Sequence, residues 1–156
     1  MEVDETTNRI LTDTQIDVKL KLAAVWTAFM FFYIYVDYFT LYKPGTLAEI
    51  QSGSIFMFEI TQTFLMAGLV LVSIPMLMVV LSVMLPPRLN RWLNIVVALV
   101  YVPVSLFNLL GESYAYLYYG AGIEVVLLGL VVWYAWNWPR TPEAASSPRT
   151  PEASSS

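Results

Sequence analysis

Leu22–Tyr42 reads LAAVWTAFMFFYIYVDYFTLY, twenty-one residues with one charged side chain, Asp37. An α-helix of that length covers about 30 Å, the thickness of a bilayer's hydrocarbon. Asp37, set among Tyr33, Tyr35, Tyr38 and Tyr42, then lies at membrane depth. An Asp near the centre of a spanning helix costs roughly 2.5–3.5 kcal/mol on insertion scales. The nine Leu, Ile, Val and Phe side chains of the same run offset it by ~4 kcal/mol in sum. The helix therefore inserts, but an Asp37 turned toward lipid cancels nearly the whole margin. Asp37 is expected inside the bundle or against water.

Three further runs have the same character: Ile60 to Leu85, ended by Pro86-Pro87, then Trp92 to Gly111, and Tyr118 to Trp138, stopped by Pro139. Proline cannot continue a helix that needs its amide. None of the runs alternates with period two, so helices are favoured over the strands of a small barrel. The expectation is an all-α integral membrane four-helix bundle spanning about 22–42, 60–85, 92–111 and 118–138. Residues 1–21 form a cytoplasmic N-terminal segment. Residues 139–156 form a disordered tail carrying the near-repeat RTPEAASSP and RTPEASSS, too rich in Ser, Pro and Ala to bury a core. Its Thr-Pro and Ser-Pro pairs are phosphorylation motifs in a eukaryotic host. The acidic start, with no small-residue cleavage site after the first apolar run, does not read as a cleaved signal peptide.

Composition agrees. The 156 residues are 58% hydrophobic and 13% charged, with a mean hydropathy of +0.63. A soluble domain of this size keeps more charge on its surface. There is no Cys and no His, which removes thiol relays, His-ligated haem and Cys/His zinc sites. A net charge of −4 and the lack of a basic stripe argue against nucleic acid. No phosphate-cradling loop and no nucleophile elbow appears. No enzymatic activity and no cofactor is expected.

Lys and Arg set the orientation. Arg9, Lys19 and Lys21 precede the first span, Arg88 and Arg91 fill the loop between the second and third, and Arg140 and Arg149 follow the fourth. Only Lys43 falls on the other side. Both termini are therefore expected in the cytoplasm, and dual topology is disfavoured. Trp26, Trp92, Trp133, Trp136 and Trp138 fall toward the cytoplasmic ends as interfacial anchors, while tyrosines crowd the outer side. In the one long loop, Thr46-Leu-Ala-Glu49 fits a capping box opening a short helix that Gly53 ends. Ile55 to Phe58 are apolar enough to lie in the interface.

Three stretches, TDTQIDVKLKLAAVWTAFMFFYIYVDYF, LPPRLNRWLNIVVALVY and GESYAYLYYGAGIEVVLLGLVVWYAW, resemble a family of small four-span bacterial membrane proteins that is a domain of unknown function. The resemblance covers about residues 12–138. It implies four helices in a bacterial inner membrane and brings no activity or catalytic residue.

Function must come from the polar residues. Counting 1.5 Å per residue from the span centres puts Asp37 and Glu124 about 6–7 Å toward the outside, at one depth. Tyr101, Ser105, Asn108 and Glu112, spaced four, three and four apart, share a face of the third span. Tyr33 lies one turn before Asp37, Tyr116 and Gly120 precede Glu124 at four-residue steps, and the second span begins with Glu59, Thr61, Gln62 and Thr63. The candidate ligand- or proton-binding residues are Asp37, Glu124, Glu112, Asn108 and Tyr33, with no metal set.

Two roles fit them. The carboxylates tie helices together through tyrosine hydroxyls, Asn108 or Gln62. Or they form an outward-facing, tyrosine-lined cup for a small cation, a proton-coupled solute or an amphiphile such as a quinone. Asp37 and Glu124, if close, titrate as a coupled pair. The alternative from a different class is a non-catalytic accessory subunit of a larger membrane complex or a homo-oligomer. A membrane oxidoreductase or hydrolase would need an outside cofactor. Pro75 and Pro103 kink helices or free carbonyls, Gly120 and Gly122 permit close packing, and Asn90 and Asn94 read as caps or solvated groups at the cytoplasmic turn.

Overall fold

A computed structural model describes residues 15–55 and 58–139. The expected N-terminal segment up to residue 14, the low-complexity tail and its Thr-Pro sites lie outside the described residues. Four helices are long and apolar enough to cross a membrane: α1 (Val18–Thr40), α3 (Gln62–Met84), α4 (Pro87–Phe107) and α5 (Ala115–Trp136). Between α1 and α3 come the short α2 (Thr46–Gln51) and a two-stranded antiparallel ribbon, β1 (Ser54–Ile55) and β2 (Phe58–Glu59). The chain is a multi-pass membrane protein on this evidence. One end of the bundle carries Lys19, Lys21, Arg88 and Arg91 and is the basic end; the other carries α2 and the ribbon and is the loop end.

Local chemistry explains each boundary. Asp17 caps α1, its carboxylate accepting the Lys19 amide at 2.8 Å. Thr61 caps α3 by accepting the Phe64 amide at 3.1 Å. Pro86-Pro87 does two jobs. It ends α3, and Pro87 also opens α4 at its first position, where the missing amide has no helical partner to lose. The third helix thus starts five residues before the expected Trp92 and ends at Phe107, before Gly111. Arg88 and Arg91 stand in its first turns rather than in a loop. Gly53 ends α2 with φ 85°, as expected. The capping box is a correction: Gly45, at φ 94°, precedes the helix, and Thr46 makes no cap bond. Ile55 and Phe58 pair across the ribbon.

α1 packs against α3 and α5, and α5 against α4. The core runs through Leu22, Trp26, Phe29, Met78, Ile95, Ala98, Tyr101, Leu128 and Val131. Only Pro75, Met78 and Ser82 of α3 are buried, and its residues 62–70 are exposed except for Phe64. Lipid is as apolar as a protein interior, so a spanning helix tolerates such exposure without a polar face.

The basic end holds a network that reverses the expectation for two asparagines. Asn90 and Asn94 are fully buried, not solvated caps. Asn94 Oδ1 accepts from Trp26 Nε1 at 2.7 Å and from Ser82 Oγ at 3.2 Å. Asn94 Nδ2 donates to Asn90 Oδ1 at 2.6 Å, and Asn90 Nδ2 donates to the Ser82 carbonyl at 2.5 Å. The set joins α1, α3 and α4. Trp26 is accordingly a core residue rather than an interfacial anchor, whereas Trp92, Trp133 and Trp136 are exposed.

Candidate functional site

The loop-end half of the bundle gathers polar side chains from three helices. Glu124, on α5, is 2% exposed. Beside it on α4 is Ser105, 1% exposed. The Ser105 hydroxyl finds no partner of sound hydrogen-bond geometry, although it neighbours the Glu124 carboxylate. From α1, Asp37 is close enough to Glu124 for their charges to interact. Tyr33, one turn earlier on the same face, feels both carboxylates and lies next to the Asn108 side chain at the end of α4. α1, α4 and α5 therefore bring Tyr33, Asp37, Asn108 and Glu124 near one another. Ser105 completes the group.

Close approach of α1 and α5 makes this possible. A Cβ on Gly120 would stand 3.0 Å from Val36 Cγ2. Val36 and Gly120 adjoin Asp37 and precede Glu124 by one turn, so the glycine lets the two acid-bearing helices meet at that level. A Cβ on Gly122 would meet nothing within 4 Å, so the packing role expected for it falls to Gly120 alone.

Asp37 faces the same way as the half-buried Tyr33, yet it is exposed, as is Asn108. The loop-end half of α3 is exposed as well, from residue 62 to 70 apart from Phe64. Under the site, Phe29, Met30, Tyr33, Leu71, Val72, Pro75 and Tyr101 close together and leave no room for a water molecule. The polar group thus runs from the exposed Asp37 and Asn108 to the buried Glu124 and Ser105, above a dry apolar layer. A groove of about 640 Å³ runs along α3 from Gln62 to Ile74. Gln62 and Thr63 are exposed on that stretch and have no hydrogen bond to the carboxylates among the described residues.

Glu112 stands apart. Because α4 ends at Phe107, the helical spacing that put Glu112 on a face with Ser105 does not reach it. Its carboxylate takes both oxygens to Lys43 Nζ, at 2.7 and 2.6 Å. The Glu112 hydrogen bond holds the Lys43 ammonium above its ordinary pKa. The ammonium also lies 5.1 Å from the centre of the Tyr114 ring. This pair closes the α1 and α4 ends of the loop face instead of charging the polar group.

The tyrosine lining is thinner than composition suggests. Tyr38 and Tyr42 bond each other at 2.7 Å, Tyr116 reaches Thr40 at 3.3 Å, and Tyr118 donates to the Glu112 carbonyl at 2.8 Å. Tyr35 and Tyr119 are exposed. Of the ten tyrosines, Tyr33 at the site and Tyr101 in the apolar layer beneath it are the two nearest the carboxylates' side of the bundle core.

Three helices, four expected residues and a dry apolar layer belong to a protein whose sequence matches a family model over residues 11–145. The chain belongs to DUF6326, a family of unknown function. No curated protein and no solved structure matches it. Family membership therefore assigns no activity, and the chemistry of the polar group has to supply the functional argument. Among the described residues no group of three His, Cys, Asp or Glu side chains is placed to hold a metal ion.

Proposed function

We propose that this protein, in a bacterial inner membrane with its loop end outward, binds or carries a small cationic or proton-coupled solute, without enzymatic chemistry. One observation carries this reading. Asp37 and Glu124 lie within charge range of each other at membrane depth, and neither has a Lys or Arg within salt-bridge distance among the described residues. The one ion pair described there is Lys43–Glu112. Two carboxylates within charge range in a medium of low dielectric repel and cost solvation. A cation or a shared proton removes both penalties.

Roles follow from position. Asp37, being exposed, meets the solute first. Glu124, sealed behind it, holds the charge. The Ser105 hydroxyl supplies a buried oxygen whose hydrogen-bonding capacity the protein leaves unused, and Tyr33 and Asn108 orient the bound group. Glu112, already neutralised, shapes the rim. The apolar groove along α3 suits the tail of an amphiphilic cation.

Calorimetric titration of the purified protein in nanodiscs tests this. Sodium, tetramethylammonium and tetraphenylphosphonium chlorides serve as probes, in buffers that differ in ionisation enthalpy. The expected result is binding of at least one probe with a buffer-dependent heat, as a proton leaves the pair. That heat disappears in Asp37→Asn and Glu124→Gln. Binding that both variants retain, or no binding by any probe, refutes the proposal.

A further inference from the structure

We propose that the loop-end half of α3 is a hinged arm, latched by Tyr101, that controls access to the Asp37–Glu124 pair. The inference rests on the binding reading above and adds how the site is opened and closed. Its basis is the bonding of one carbonyl. In an α-helix the amide of residue 75 bonds the carbonyl of residue 71, but residue 75 is proline and has no amide. An unsatisfied carbonyl at membrane depth is costly, since no water reaches it. The structure fills the vacancy from another helix: the Tyr101 hydroxyl of α4 donates to the Leu71 carbonyl. Ser73 Oγ also bonds back to the Leu69 carbonyl at 2.7 Å, a contact that bends helices.

The two halves of α3 are held very differently. On the basic side of Pro75, Met78 and Ser82 are buried, Ser82 bonds to Asn90 and Asn94, and the Val83 carbonyl accepts Lys19 Nζ at 3.2 Å. On the loop side, residues 62–70 are exposed apart from Phe64. The latch is therefore the last described side-chain bond between α3 and α4 before the open stretch begins. It also stands next to the site. The Tyr101 ring is 6.1 Å from Phe29, which is 5.8 Å from Tyr33, the residue next to Asn108 and within charge range of both carboxylates. A solute that displaces Tyr33 presses on the latch through this aromatic series. Tyr101 acts here as a positioning residue and does not touch the solute.

The chain has no cysteine, so spin labels can be placed cleanly. Leu69→Cys on α3 and Leu106→Cys on α4 label two exposed positions, 64% and 47% accessible, that lie outside the site. Pulsed electron–electron distances in nanodiscs then read the arm with no solute present. Interhelical hydrogen bonds in membranes contribute enough that losing one raises the unlatched-to-latched ratio about 3- to 20-fold. Tyr101→Phe is expected to add a longer-distance population of that size. Pro75→Ala restores an amide for the Leu71 carbonyl, so Tyr101→Phe in that background is expected to add none. An unchanged distribution in Tyr101→Phe overturns the proposal. So does an equal broadening in both backgrounds, which marks Tyr101 as packing alone. Because no solute enters, a failed latch leaves the calorimetric result standing, and a failed titration leaves the arm standing.

Discussion

Removing the Asn94 side chain tests the account of how the bundle is held. Asn94→Ala strips the acceptor from two buried donors on other helices, Trp26 Nε1 at 2.7 Å and Ser82 Oγ at 3.2 Å. Within α4 it also removes the donor that Asn90 Oδ1 accepts. Interhelical hydrogen bonds in membranes average ~0.6 kcal/mol and reach ~1.7, so two of them set a cost of about 1–3 kcal/mol. That lowers the folded-to-unfolded ratio about 5- to 150-fold. Reversible unfolding in mixed micelles titrated with dodecyl sulfate measures it. Asn108→Ala, at an exposed position, is the control and should cost less than about 0.5 kcal/mol. Trp26→Phe removes one donor and leaves Ser82 on Asn94. The double variant should then cost less than the sum of the singles by ~0.6–1.7 kcal/mol. If Asn94→Ala behaves like Asn108→Ala, or if the singles add, the network does not hold α1, α3 and α4 together.

Gly120→Ala places a methyl 3.0 Å from Val36 Cγ2. It should cost about 1–3 kcal/mol by overpacking, whereas Gly122→Ala, with nothing within 4 Å, should stay within about 0.5 kcal/mol of wild type; the same detergent titration separates them. Ser105→Ala deletes a buried hydroxyl without a partner, so stability should hold or rise by up to ~1 kcal/mol, while calorimetry shows weaker cation binding. A marked loss of stability would instead give Ser105 a structural bond. The Lys43–Glu112 pair contributes ~1 kcal/mol or less, its side chains being 23% and 11% accessible. Lys43 is raised above 10.5, so its contribution is complete below that pH and is lost as pH rises through the folded value. The stability difference between wild type and Lys43→Met should be flat from pH 7 to about 10 and shrink above it. A difference that is already gone at pH 8 rules the pair out as the source.

The spans were readable because length and apolarity alone distinguish a membrane helix, and the shared depth of Asp37 and Glu124 was readable because 1.5 Å per residue converts position into depth; that their helix faces meet was not. What the sequence hid depends on rotation and on helix ends. Asn90 and Asn94 sit beside a proline turn and two arginines, which reads as wet surface. Only the arrival of Trp26 and Ser82 from other helices makes them core. Their four-residue spacing was the available signal, and it is shared by any solvated helix face. Glu112 kept helical spacing on paper, but the chain leaves the helix at Phe107 with no proline or glycine to announce it; Gly111, at φ 75°, comes four residues later. For α3 the periodicity is silent, because lipid and protein interior select the same side chains. Nothing in VDYF tells whether α3 covers Asp37; the bond proposed to set α3 falls on the carbonyl of Leu71, thirty-four residues further along the chain, which Pro75 leaves free and Tyr101 takes. If that bond sets the arm, access to the carboxylates is decided in the apolar layer beneath them, and substitutions there should alter access without touching either carboxylate.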